Sequence, residues 1–206
     1  MRNSIIILTM ILACSCNNTK KQTVQAIQSE NSLFKTFVKK FKPIDLPFTY
    51  RITSEGLTVD LNKMRKIDAN SSDTLFLKTE FPQETYCFGM LKDTTNFYSL
   101  IYLFPAEDYY PVLATYTKSG KQISQINLIA LGGGVDCGLT YYSTTGRINK
   151  DMTFFCSDTA KYEYMCDSLS DEIPNSAKNH INVKTGKVTK SGKIIENAIR
   201  QFEQKN

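Results

Sequence analysis

Apolar residues recur at helical spacing near residue 35 and at roughly every second position from residue 46 onward. In the stretch opened by Asn31 and Ser32, residues Leu33, Phe34, Phe37, Val38 and Phe41 share one helical face while Lys35, Lys39 and Lys40 share the other. This predicts a short helix capped by Asn31 or Ser32 and ended by Pro43. Its basic polar face would suit a membrane surface, but packing over one end of a sheet is the preferred reading. Phe48, Tyr50 and Ile52 then alternate with Thr49, Arg51 and Thr53, and Ser54-Glu55-Gly56 turns into a strand over Leu57 to Asp60. Leu61, Met64 and Ile67 predict a helical turn, and Ala69 to Asp73 a polar loop.

Strands are expected at Thr74 to Thr79, Thr85 to Leu91, Phe97 to Phe104, Val112 to Lys118, Gln122 to Leu131, Gly138 to Ser143, Met152 to Ser157 and Tyr162 to Asp167. The run Leu100 to Phe104 is apolar at both parities, the mark of a central strand covered on both faces. Ile123 is out of phase with Ile126 and Leu128, which places a bulge near Ser124-Gln125. Ser119-Gly120, Thr145-Gly146, Thr185-Gly186 and Ser191-Gly192 read as hairpin turns, with Ile181 to Val183 and Val188-Thr189 flanking the third. Ile195, Ile199 and Phe202 have helical spacing and predict a terminal helix, although Lys193-Ile194-Ile195 would also suit an edge strand. The fold class expected is mainly β, an antiparallel sandwich or barrel-like sheet with a short N-terminal helix.

The first residues read differently. Arg2 precedes an apolar run from Ile5 to Leu12 that is too short to span a bilayer, followed by the small residue Ala13. Ile11-Leu12-Ala13-Cys14 resembles the lipobox of bacterial lipoproteins, and Ala13-Cys14-Ser15-Cys16 is a second frame that would make Cys16 the modified residue. The resemblance implies a cleaved signal over residues 1–13, an acylated Cys14, and a polar tether to residue 31 ahead of a single domain over residues 32–206. Several acyl chains, at about 0.8 kcal/mol per buried CH₂, anchor far more firmly than one. No acid follows the cysteine before Glu30. In such lipoproteins an early Asp favours inner-membrane retention and an early acidic cluster favours surface export. The outer membrane, periplasm-facing, is therefore the expected location, with the cell surface as the alternative.

With Phe41-Lys42-Pro43-Ile44-Asp45-Leu46-Pro47-Phe48 and its short hairpins, the whole chain resembles the uncharacterised lipoproteins of gut Bacteroidetes. That resemblance carries no catalytic residues.

Charge changes the picture little. Loss of Arg2 with the signal leaves 24 basic and 20 acidic residues. The basic ones, such as Lys118, Lys121, Arg147, Lys187 and Lys193, look scattered, so nucleic acid is not an expected partner. Cys87, Cys137, Cys156 and Cys166 permit disulfides in an oxidising compartment, with three full pairings open. If residues 152–167 form a hairpin turning at Asp158-Thr159, Cys156 and Cys166 lie about 17 Å apart, beyond disulfide reach. Free buried thiols remain as good a reading as any other pairing.

Candidate chemistry is sparse. Gly132-Gly133-Gly134 lacks the Lys-Ser/Thr and the helix of a phosphate loop and reads as a hairpin connection, with Asp136 able to line a binding loop. His180 is the only histidine, which removes multi-histidine metal sites and leaves one base for a Ser or Cys nucleophile. Glu107-Asp108 and Asp171-Glu172 are adjacent residues that would point to opposite faces of a strand, against paired-acid work. Tyr109, Tyr110, Tyr141 and Tyr142 could stack on sugars or anchor a partner. The expectation is a non-enzymatic envelope lipoprotein without a cofactor or metal, tied to the membrane by its lipid. It would bind a partner protein, glycan or envelope component. The alternatives are a β-barrel carrier of a small apolar ligand and a carboxylate-dependent hydrolase.

Overall fold

The computed structural model describes residues 30–53, 56–57, 59–106, 109–130 and 137–205. Helical residues 30–38 (α1) place Phe34, Phe37 and Val38 on one face. Asn31 and Ser32 lie inside this helix rather than capping it, and Pro43 sits in the first strand.

Two sheets stack beneath α1. Sheet I contains β1 (Lys42–Ile44), β5 (Tyr86–Leu91), β6 (Tyr98–Phe104), β7 (Tyr110–Tyr116) and β8 (Gln122–Asn127) in that order, and β4 (Arg65–Lys66) adds to β5. Sheet II runs β14 (Ile194–Glu196), β13 (Lys178–Val188), β10 (Thr153–Tyr162), β9 (Leu139–Ile148), β2 (Phe48–Thr53), β3 (Gly56–Leu57), and β15 (Arg200–Lys205) also pairs with β13. A small hairpin, β11 (Met165–Cys166) and β12 (Glu172–Ile173), stands apart. The result is a sandwich, not a closed barrel.

One face of sheet I carries Leu100, Tyr102, Val112 and Tyr116 and packs against α1 and Phe76. The opposite face, with Leu91, Ile101, Leu113 and Ile126, packs against Ile148, Phe154 and Cys156 of sheet II. Covered on both sides, β6 is apolar at both parities, as expected of the Leu100 to Phe104 run, and β7 beside it is buried from Pro111 to Tyr116. The expected bulge falls at Ile123, where the register slips between Thr115 and Tyr116.

Four expectations are corrected. Thr74 to Thr79 is not a strand: α2 (Asp73–Phe76) is a helical turn. The buried Asp73 carboxylate accepts the Asp68 N–H and pairs with Lys40, and this turns Phe76 and Leu77 into the core. Residues 152–167 are not a hairpin, because β10 runs straight through Asp158-Thr159, with Asp158 buried and paired to Thr144 and Asn182 in register. Thr145-Gly146 and Thr185-Gly186 are not turns but lie within β9 and β13. These two glycines leave room for aromatic rings, since a Cβ at Gly146 would strike Tyr50 and one at Gly186 would strike Phe154. The C-terminal helix is absent. The edge of β13 offers backbone groups over eleven residues, and β14 and β15 pair with it in tandem.

The turns at Gly120 and Gly192 hold as expected, with φ of 95° and 83°. Cys137 and Cys166 form a disulfide, and Cys87 and Cys156 are free and buried.

Candidate functional site

Residues paired across neighbouring strands share a face, so the register of sheet II sorts its side chains into two sets. The inner set includes Tyr50, Thr144, Cys156, Asp158, Lys184 and His180. The outer set follows the rows Arg51-Thr145-Ser157-Val183-Arg200, Thr49-Arg147-Phe155-Thr185 and Thr53-Ser143-Thr159-Ile181-Phe202. Tyr141-Lys161-Asn179-Gln204 and Thr153-Lys187-Ile195 complete it.

These outer strand positions hold Arg51, Arg147, Lys161, Lys187 and Arg200, and no acid. Asp151 and Glu163 lie beyond the two ends of β10. Between the cations sit Phe155, Ile195 and Phe202, respectively 42%, 42% and 49% exposed. Arg51 Nη2 donates to the Tyr141 hydroxyl at 2.9 Å, and the Lys161 ammonium stands 5.2 Å from the Tyr141 ring centre. Hydrogen bonds with Ser143 and Arg51 hold the Tyr141 phenol below its usual pKa. The surface is cationic and aromatic.

The inner set is committed to structure. Asp158 accepts the Ala130 N–H at 3.2 Å and the Thr144 hydroxyl at 2.9 Å, and Tyr142 bonds Thr144 in turn. Tyr50 donates to the Leu128 carbonyl, and Lys184 donates to the Asn127 carbonyl at 3.3 Å. Together these side chains pin residues 127–130 against sheet II. Burial pushes the Cys156 thiol up to about 11, so it stays protonated and unreactive. His180 is opposite Ala160, four residues along β10 from Cys156 and therefore about 13 Å away. It lies beside Glu203 at 3.4 Å, with its Nε2 buried and without a hydrogen-bond partner. No thiol–imidazole pair forms there.

A cleft of about 530 Å³ opens at the edge of β2, where only Ile52 and Thr53 pair with β3. Phe48, Tyr50, Val59, Phe88, Leu103, Pro111 and Phe155 supply its apolar wall, and Arg51 and Arg147 of the outer face also line it, so the cleft opens into that face. No Asp or Glu does.

The tyrosines singled out from sequence are not brought together. Tyr109 packs on Tyr86 at 5.3 Å and Tyr110 on Phe104 at 5.4 Å, both on sheet I. Burial raises both phenols. Tyr141 and Tyr142, adjacent on β9, face opposite ways. Cys14, Cys16, the Gly132-Gly133-Gly134 run, Asp136 and Glu107-Asp108 lie outside the described residues. The basic residues expected to be scattered are not all so, since Arg147 and Lys187 join three others on one face. The signal lay in parity for four of them: Arg51, Arg147, Lys161 and Lys187 each stand one residue from a buried position, whereas Arg200 does not, and only the register shows that the strands align all five.

Among the described residues no cluster of three or more His, Cys, Asp and Glu could hold a metal, and no helix is long and apolar enough to cross a membrane. No family model matches the chain, and comparison with curated proteins and with solved structures finds no match.

Proposed function

We propose that this chain is a non-enzymatic envelope lipoprotein, anchored by acyl chains on Cys14, that binds an anionic envelope component through the outer face of sheet II. Supporting the anchor is the lipobox-like Ile11-Leu12-Ala13-Cys14. Carrying the binding surface is one observation: five cations and no acid on the strand positions of a face whose neighbours include exposed Phe155 and Phe202. In a chain with 25 basic and 20 acidic residues, such segregation creates a local field that draws anions.

Metabolic labelling with an alkyne fatty acid tests the anchor, with Cys14→Ser abolishing the label. Label retained in Cys14→Ser and lost in Cys16→Ser assigns the second frame, and an unlabelled wild type refutes the anchor. Binding of the full chain to isolated envelope fragments tests the face. Retention should fall with added salt and with Arg147→Glu/Arg200→Glu, and unchanged retention in that variant would remove the face from the reading.

The cleft beside β2 favours a second reading, a carrier of a small apolar ligand, because its volume lies in the range of about 300–1,000 Å³ typical of such sites. Saturable uptake of a fluorescent fatty acid would support it, and no uptake would dismiss it.

A further inference from the structure

We infer that the anionic component is the bilayer itself: the outer face of sheet II lies flat on an anionic phospholipid surface. This rests on the lipoprotein reading above and names the partner of the same face. Three observations converge on it.

The first is shape and charge. The register presents these cations on one face of the sheet, and each Lys or Arg near an anionic surface strengthens binding roughly fivefold. Arg51, Arg147, Lys161, Lys187 and Arg200 are all exposed or line the surface, with no strand acid to oppose them. A second is the apolar content. Phe155, Ile195 and Phe202 stand exposed among these charges, as the rings and aliphatic groups that enter the headgroup region do at membrane-binding surfaces.

The third is reach. Helix α1 covers the far side of sheet I, so residue 30 begins two layers away from the outer face, about 20 Å at roughly 10 Å per layer. Residues 15–29 span up to about 50 Å when extended. A chain acylated at Cys14 can therefore root in the same leaflet on which the face rests. The lipid fixes the domain to the membrane, and the face fixes its orientation.

Full chain carrying Cys14→Ser/Cys16→Ser, which cannot be acylated, should co-sediment with vesicles of equal parts phosphatidylcholine and phosphatidylglycerol and not with phosphatidylcholine alone. Arg147→Glu/Lys187→Glu/Arg200→Glu should weaken this at least tenfold, whereas Lys35→Glu/Lys39→Glu, exposed on α1 and in the turn that follows it, should leave it unchanged. Equal loss in both variants would place the contact elsewhere and overturn the proposal. Binding to soluble polygalacturonate but not to vesicles would overturn the lipid assignment and leave the anionic-partner reading standing. Binding to neither would overturn both. A second measurement is independent of variants. In the acylated chain reconstituted into the same vesicles, an amine-acylating reagent should modify Lys161 and Lys187 more slowly than Lys35 and Lys39, and the reverse order would refute the orientation.

Discussion

The ring of Tyr50 on β2 lies over the bare backbone of Gly146, its register partner on β9, and its hydroxyl donates to the carbonyl of Leu128. One side chain thus joins two strands of sheet II to the segment leaving β8. The cross-strand glycine is what lets the ring lie down.

Gly146→Val should therefore destabilise the domain by about 2–3 kcal/mol, since the new side chain must displace the Tyr50 ring. Tyr50→Phe should cost less, about 1 kcal/mol for the lost hydrogen bond. Urea midpoints with unchanged slopes check both. A Gly146→Val variant as stable as wild type would return Thr145-Gly146 to the status of a tolerant turn.

Asp158 is 3% exposed and accepts from both Ala130 and Thr144. Asp158→Ala should cost about 3 kcal/mol by leaving two buried donors unsatisfied. Asp158→Asn, which keeps one acceptor oxygen, should cost less. Amide exchange of Ala130, faster in Asp158→Ala than elsewhere in the sheet, would localise the effect.

Stability should decline in alkali. Burial pushes Cys87 up to about 12 and Cys156 to about 11, against about 8.5 in an unfolded chain. The unfolded chain sheds these protons first. The stabilisation is whole below about pH 8.5 and is lost as pH rises through the folded-state values. Burial raises Tyr50, Tyr102 and Tyr116 as well, and extends the decline. Denaturation across that range should show a slope that Cys87→Ala/Cys156→Ala reduces by up to about 1.4 kcal/mol per pH unit for each thiol.

Of the four domain cysteines, Cys87 and Cys156 should resist alkylation until the chain unfolds, and Cys137 and Cys166 should react only after reduction. The bridge closes a loop with a sequence separation of 29, worth about 3–4 kcal/mol in the chain-entropy account. Cys137→Ser/Cys166→Ser should lower stability by about that amount. Peptide mapping under non-reducing conditions that recovers a Cys156–Cys166 pair would contradict the fold of β10.

Gly120 and Gly192 sit in turns because their positive φ is a local demand, visible as Ser-Gly between two strands. Gly146 and Gly186 carry the same Thr-Gly signature, yet their role is set by Tyr50 and Phe154 on other strands. Asp158-Thr159 looked like a turn because a buried carboxylate is rare in a strand, and only the facing Thr144 and Ala130 make it tolerable. The apolar spacing of Ile195, Ile199 and Phe202 suited a helix, but β13 had an edge to satisfy. The tyrosine pairs dispersed because neighbours on a strand point apart.

By itself, the sequence determined the β-rich class, the doubly covered central strand over Leu100 to Phe104, the helix carrying Phe34 and Phe37, and the turns at Gly120 and Gly192. Those follow from periodicity and backbone sterics, which act over a few residues. Tertiary structure alone decided which strands lie side by side, hence the Cys137–Cys166 bridge, the course of β10 and β13, and the gathering of Arg51, Arg147, Lys161, Lys187 and Arg200 on one face. Register is a long-range choice: it is made by which buried rows fit together, and only then do the charges on the opposite face find their neighbours.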